Sequence, residues 1–160
     1  PLIPKEISRV MSLRDGKKKM SKSEESDQSR INLKDDKDLI DQKIKKAKTD
    51  SLPIPDSIEE LQKRPEAENL LGIYSSLNNQ ILQQTLDEFS GKNFSDFKKK
   101  LSDLLIEKIT PVSLKMKEIQ KDNKFIDDIL KQGAEKADKI ASKKVDEIKK
   151  IIGFWINFNL

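Results

Sequence analysis

Apolar side chains recur every three or four residues along most of this chain, which is the spacing of one face of an α-helix. One such run extends from Phe97 to Ile119, and a longer one extends from Ile126 to Ile152. Shorter runs cover residues 39–47, 58–61, 70–81 and 81–89. The pattern therefore predicts a mainly α-helical protein, a bundle of four or five helices whose apolar stripes form the core.

Polar residues and prolines mark where these helices are expected to begin and end. The expected starting residues are Asp35 or Asp36, Asp56 or Ser57, Pro65, Ser95, and Asp122 or Asn123. The expected ends are near Lys48, at Asn78–Asn79 and at Ser90–Gly91. Pro111 interrupts the run from Phe97 to Ile119, so we expect a kink or a junction of two helices there.

Other segments depart from the helical pattern. Pro1–Pro4 is expected to be extended, and Arg9–Leu13 is read as a short strand that precedes a turn at Asp15–Gly16. Prolines interrupt residues 51–64, which we interpret as a connector between two domains, residues 1–50 and 65–160. The aromatic end, residues 154–160, is expected either to pack onto the bundle or to replace a native tail.

The charge of the chain is concentrated near its beginning. The net charge is +4, and residues 1–50 carry 14 basic and 10 acidic residues, whereas the remaining residues are balanced. The excess lies in the segment Arg14–Ser23 and in the lysines of the first helix, Lys43, Lys45, Lys46 and Lys48. We therefore expect a polyanionic partner to meet this end of the chain first.

The sequence contains neither histidine nor cysteine. The lack of histidine removes the commonest general base and metal ligand, which makes a self-sufficient hydrolase or metalloenzyme improbable. The lack of cysteine excludes disulfides and thiol chemistry. No run of about 18 apolar residues is present, so no transmembrane helix is expected. The first residue is not Met, and we expect a fragment of a longer protein.

The segment Arg14–Ser23 holds four lysines beside Gly16. On charge alone, the default interpretation is a solvated basic loop or a nuclear-localisation-like run. The order of its residues changes that interpretation, because Lys19-Met-Ser-Lys-Ser23 matches the KMSKS signature of class I aminoacyl-tRNA synthetases.

The surrounding sequence resembles the bacterial-type tryptophanyl-tRNA synthetase family over nearly the whole chain, from about Pro1 to Gly153. The resembling segments are Arg9–Lys19, Ser29–Leu33, Lys43–Asp50, Arg64–Tyr74 and Gly133–Ala141. One departure is that Glu24-Glu25 stands where the family usually has Asp-Pro after the signature. The family's HIGH signature cannot be present in a chain without histidine.

The resemblance implies a fold and a function for each part of the chain. Residues 1–50 would be a short remnant of a Rossmann-type catalytic domain that carries the signature, and residues 65–160 a helical, anticodon-binding-like domain. The parent reaction would be ATP-dependent activation of tryptophan and its transfer to tRNA(Trp). This chain alone, lacking the HIGH signature and the tryptophan pocket, is expected to be inactive.

The resemblance also implies residue roles. Lys22 and Lys19 would stabilise the phosphates during catalysis, and ATP would contact all five signature residues, Lys19, Met20, Ser21, Lys22 and Ser23. Mg²⁺ would be bound through the phosphates. The parent is expected to be a cytoplasmic (or organellar-matrix) homodimer without a membrane association.

Two other functions stay open at this point. One is a free-standing helical tRNA-binding module without catalysis, and the other is a structural interaction protein whose basic loop is incidental. Five aromatic side chains that could stack on bases are expected instead to belong to the core: Tyr74, Phe89, Phe94, Phe97 and Phe125.

Overall fold

The computed structural model describes residues 9–154 of the chain. The expectations for Pro1–Pro4 and for the tail beyond Phe154 lie outside the described residues. By its contacts the chain divides into two compact units, residues 1–115 and 116–160. The connector 51–64 lies within the first unit, where Ile54 and Leu61 are buried.

Six α-helices account for the regular structure of the described residues. They are α1 (Lys37–Lys45), α2 (Ile58–Leu61), α3 (Pro65–Leu77), α4 (Leu82–Phe89), α5 (Phe94–Ile119) and α6 (Asn123–Ile152). A single 3-10 turn covers Asp27–Ser29. The expected strand at Arg9–Leu13 is reduced to one isolated antiparallel bridge between Met11 and Lys19. The mainly α-helical class is therefore confirmed.

Most of the expected helix starts are confirmed. The Asp36 carboxylate accepts a hydrogen bond from the Leu39 N–H at 2.9 Å, and Asp122 accepts one from the Phe125 N–H at 2.9 Å. Pro65 occupies the first turn of α3. The first helix ends at Lys45 rather than near Lys48, because the Lys48 N–H instead donates to the Leu13 carbonyl at 2.7 Å.

The structure corrects one expectation for α5 and narrows another. Ser95 does not cap it: the helix already includes Phe94, which is buried, and the Phe97 N–H donates to the Asn93 carbonyl. The helix also continues through Pro111 as one element, so there is no junction of two helices at that residue. The alternative expectation, a kink at Pro111, stays a prediction. Pro111 is exposed, which leaves water to hydrate the carbonyl that has lost its N–H partner.

The core of the first unit contains the aromatic residues assigned to it. Tyr74, Phe89 and Phe97 are buried, and their rings lie 4.9 to 5.7 Å apart between α3, α4 and α5. Phe94 packs edge-on against Phe97. Edge-to-face packing of this kind favours one fixed arrangement of the three helices.

The stripe on α6 does not form a core in the described residues. No residue of this helix is buried, and Phe125, which was also expected in the core, is 49% exposed. The prediction of burial is wrong here because a periodic stripe indicates an apolar face and carries no information on what covers it.

Candidate functional site

The signature begins on one arm of a short hairpin formed by residues 10–20. The Ser12 N–H donates to the Lys18 carbonyl at 2.8 Å, and the Met20 N–H donates to the Val10 carbonyl at 3.1 Å. Met11 and Lys19 are therefore the opposed pair between these two bonds. The predicted turn at Asp15–Gly16 is confirmed by the hydrogen bond from the Lys18 N–H to the Asp15 carbonyl.

The five signature residues divide into a packed residue and exposed polar residues. Met20 is half-buried and packs against the hydrophobic core. Lys19, Lys22 and Ser23 are exposed. The Ser21 and Ser23 hydroxyl groups lie 2.8 Å apart, and the Ser23 N–H donates to the Ser21 oxygen at 3.3 Å. Met20 thus fixes the end of the hairpin, while the ammonium groups on either side of it remain in water.

Neither signature lysine is neutralised by the part of the chain that the structure describes. Lys19 and Lys22 form no ion pair with residues 9–154, and Lys17 forms none either. The Lys18 ammonium group lies 3.9 Å from the Asp15 carboxylate, which is the outer limit of an ion-pair distance. A cluster of unpaired ammonium groups held beside one another is a surface that favours a polyanion.

The lysines of α1 and its C-terminal extension do not all contribute to that surface, which corrects the expectation from charge alone. Lys43 is fully buried and paired with Asp27 and Asp35. Lys45 pairs with Asp41, and Lys48 with Glu66. Lys46 is the exposed lysine of this group that forms no ion pair with the described residues.

Lys43 fixes the segment that follows the signature through its ion pair with Asp27. The Lys43 ammonium group lies 2.6 Å from Asp27 Oδ2, and Asn32 donates to the other oxygen of Asp27. The hydrogen bond from Lys43, followed by that from Asn32, lowers the pKa of Asp27. Arg30 adds a hydrogen bond to the Glu24 carbonyl at 2.9 Å. The chain is therefore held from Glu24 onward, and the exposed part of the signature lies between two fixed ends.

The turn of the hairpin rests on the first residues of α3. Gly16 is buried, and a Cβ atom built on it would lie 2.5 Å from the Glu66 nitrogen and the Pro65 carbonyl carbon. Lys48 lies 2.8 Å from the Glu66 carboxylate, and this hydrogen bond lowers the pKa of Glu66 against the opposing effect of burial. Glycine is required at this turn because of the close approach of two backbones.

Sequence reasoning missed two of these features. Lys43 was counted with the solvated lysines, although its position one turn from Ile40 and next to Ile44 puts it on the apolar face of α1. Gly16 was expected in a turn, but nothing in the local sequence indicates that a helix about 50 residues later lies against that turn. The first feature was available from helical spacing, whereas the second depends on tertiary packing.

Residues 9–154 contain no group of three or more Asp or Glu side chains that could hold a metal ion. None of the helices in the described range is long and apolar enough to cross a membrane.

Comparison with known proteins places these features in context. The family described as tRNA synthetases class I (W and Y) matches residues 1–110. The tryptophan–tRNA ligase of Agrobacterium fabrum is 51% identical over 154 residues, which cover 96% of this chain and 44% of the relative. The tryptophan–tRNA ligase of Caulobacter vibrioides is 48% identical over 155 residues, covering 97% of this chain and 45% of the relative.

A solved structure is similar over the same extent. The tryptophanyl-tRNA synthetase of Mycoplasma pneumoniae superposes with a TM-score of 0.71 at 26% identity, covering 92% of this chain and 46% of that protein. The chain spans less than half the length of the relatives it matches. It belongs to the class I tRNA synthetases of the tryptophan and tyrosine group.

Proposed function

We propose that this chain is the phosphate-binding and helical part of an ATP-dependent tryptophan–tRNA ligase. Its substrates in the complete enzyme are tryptophan, ATP and tRNA(Trp). Residues 1–50 are the end of the catalytic domain, residues 51–64 the connector, and residues 65–160 the helical region that meets the tRNA. The observation that carries the proposal is the exposure of Lys19 and Lys22, without ion pairs to the described residues, on a segment whose two ends are fixed.

The two lysines serve the transfer of the adenylyl group of ATP to the tryptophan carboxylate. The tryptophan carboxylate attacks the α-phosphate of ATP, and negative charge grows on the bridging oxygen and on the departing pyrophosphate. Lys22 is assigned to the leaving pyrophosphate and Lys19 to the triphosphate. A cation held where that charge develops stabilises the transition state more than the ground state, typically by about 2.7–4 kcal/mol.

The remaining signature residues hold and present the phosphate-binding loop. Ser21 and Ser23 offer a hydroxyl group or a backbone N–H to phosphate oxygens, and Met20 supplies the contact that keeps the hairpin on the core. ATP use is general to this family. Mg²⁺ accompanies the ATP phosphates, with no ligand assigned to it from the described residues. The complete enzyme is proposed to be a cytoplasmic homodimer.

The test is the substitution Lys22→Ala in a complete enzyme that carries this segment. Tryptophan-dependent exchange of pyrophosphate into ATP should slow by about 10²- to 10³-fold, as for removal of one preorganised transition-state donor. Tryptophan binding, measured by calorimetry, should change little. The matched control is Lys46→Ala, which removes an exposed, unpaired lysine from outside the loop. Unchanged exchange in Lys22→Ala would refute the role.

The isolated 160-residue chain provides a second test. It should support no pyrophosphate exchange by itself, because neither a HIGH signature nor a tryptophan pocket has been assigned to it. Exchange activity in the isolated chain would contradict this proposal. Salt-dependent tRNA binding without any effect of ATP would instead support a helical RNA-binding module, a function that the comparisons do not favour.

A further inference from the structure

The hairpin that carries the signature is held by the side chain of one residue on α3. Asn69 is 6% exposed, and its Oδ1 accepts a hydrogen bond from the Met11 N–H at 2.8 Å. Its Nδ2 donates to the Met11 carbonyl at 2.9 Å. Both polar atoms of the Asn69 amide therefore form hydrogen bonds with the backbone of one residue, Met11, which lies 58 positions earlier in the sequence.

The geometry of the hairpin explains why Met11 is available for this contact. Met11 and Lys19 are opposed between the hydrogen bonds of their neighbours, so the backbone groups of Met11 point away from Lys19. The Asn69 amide forms hydrogen bonds with the outward N–H and carbonyl groups of Met11, as the backbone of a third strand would. An asparagine inside α3 lowers helix propensity, so helix formation does not account for its presence there.

A second contact, one helical turn earlier on α3, holds the other end of the hairpin. The turn residue Gly16 lies against Pro65 and Glu66 with no room for a side chain. Residues 65 and 69 are about 6 Å apart along a helix axis. The arm and the turn of the hairpin are thus both fixed to the first turns of one helix.

This helix is itself fixed to the body of the first unit. Leu70 and Leu71 are buried, and Tyr74 packs against the rings of Phe89 and Phe97. A displacement of α3 therefore moves the hairpin with it. Lys19 lies on the far arm of that hairpin, and Lys22 lies two residues beyond the end of the arm at Met20.

We infer that Asn69 is a positioning residue for adenylate formation: through the backbone of Met11 it fixes the positions of Lys19 and Lys22 relative to α3. This inference rests on the proposed function of the two lysines. It adds Asn69, a residue of α3 outside the signature, to the residues on which the proposed reaction depends.

The test uses Asn69→Asp in the complete enzyme. Aspartate has nearly the same shape and still accepts from the Met11 N–H, but its carboxylate opposes the Met11 carbonyl instead of donating to it. Pyrophosphate exchange should slow by about tenfold, the effect of one displaced hydrogen bond. Tryptophan affinity should remain unchanged. The matched control is Asn79→Asp, the same chemical change at an exposed position just beyond α3.

A double-mutant cycle with Lys22→Ala separates positioning from a merely structural role. If Asn69 acts through the signature, Asn69→Asp should slow exchange by less than about threefold once Lys22 has been removed. An equal slowing in both backgrounds would overturn the inference. Lys22→Ala without any effect of its own would instead refute the proposed function, so the two failures are distinguishable. If Asn69→Asp melts below the assay temperature, the same criterion applies to Asn69→Ser, which introduces no charge.

Discussion

The ammonium group of Lys43 lies 2.7 Å from the carboxylate of Asp35, and both side chains are buried, at 0% and 5% exposure. Asn32 donates two further hydrogen bonds to the Asp35 carboxylate, at 2.9 and 3.3 Å. The second carboxylate on Lys43 is that of Asp27, four residues after the signature. An ion pair inside the protein therefore joins α1 to the segment that leaves the candidate site.

Replacing Lys43 by methionine should destabilise the protein strongly. The substitution keeps most of the side-chain volume but leaves the Asp35 carboxylate buried without its cation. Removal of one partner of a buried ion pair typically costs about 3–5 kcal/mol. The free energy of unfolding of the 160-residue chain, measured by urea titration with circular dichroism, should fall by an amount in that range.

Lys45→Met is the control for this experiment. Lys45 forms an ion pair of similar length with Asp41 on the same helix, but its side chain is 70% exposed. An exposed pair four residues apart contributes only about 0.3–0.5 kcal/mol. Equal decreases in the free energy of unfolding for Lys43→Met and Lys45→Met would show that burial of the Lys43 ammonium group does not increase its contribution to stability.

Gly16→Ala should displace the hairpin from α3. A Cβ atom at this position would lie 2.5 Å from backbone atoms of Pro65 and Glu66, which cannot rotate away as a side chain can. We expect a loss of stability of about 1–3 kcal/mol, the usual cost of forcing extra atoms into a packed contact. In the complete enzyme, pyrophosphate exchange should slow as well. Urea unfolding and the exchange assay measure the two effects.

Gly133→Ala is the matched substitution in open surroundings. No atom outside the helix backbone lies within 4 Å of a Cβ built at Gly133, which is inside α6. Alanine should therefore raise the stability of this helix by about 0.8–1 kcal/mol. If Gly16→Ala were equally harmless, the close contact between the hairpin turn and α3 would be refuted.

The sequence was sufficient for the local features of this fold. Asp36, Ser57 and Asp122 each accept a hydrogen bond from a backbone N–H near the start of a helix, as short polar side chains at such positions do. The spacing of apolar residues identified every helix of the first unit. The signature lysines were also expected to be exposed, because four neighbouring ammonium groups repel one another and favour hydration.

The features that sequence reasoning did not supply depend on distant partners. Nothing near Asn69 indicates that its amide binds the backbone of Met11, and nothing near Gly16 indicates the approach of Pro65. The same limit explains the wrong expectation for α6, where the stripe is real but no residue is buried. Periodicity reports which face is apolar, whereas contact depends on the rest of the chain.

Arg64→Lys should destabilise the connector between α1 and α3. The Arg64 guanidinium donates to both oxygens of Asp50 and to the Pro53 carbonyl at 2.8 Å, which a single ammonium group cannot reproduce. The loss of one or two charged hydrogen bonds should lower the free energy of unfolding by about 1.5–3 kcal/mol.

Lys63→Arg is the control for Arg64→Lys, because it is the reverse exchange at the neighbouring exposed position. Its effect on the free energy of unfolding should stay within about 0.5 kcal/mol. A result for Arg64→Lys inside that same margin would mean that the bidentate geometry contributes nothing to stability.

The same pair predicts how stability depends on acid. Hydrogen bonds from Arg64 lower the pKa of Asp50 in the folded chain below its ordinary value of 3.8. The unfolded chain therefore takes up the proton first as the pH falls, so the stabilisation is complete above about pH 5 and is lost progressively below about pH 4.

Asp50→Asn removes the titrating group. The difference in free energy of unfolding between wild type and Asp50→Asn should be constant near neutral pH and should shrink below about pH 4. Urea titrations across this range measure it, with Asp56→Asn at an exposed position of the connector as the control. A difference that stayed the same down to the most acid titration would contradict the pairing of Asp50 with Arg64 as its cause.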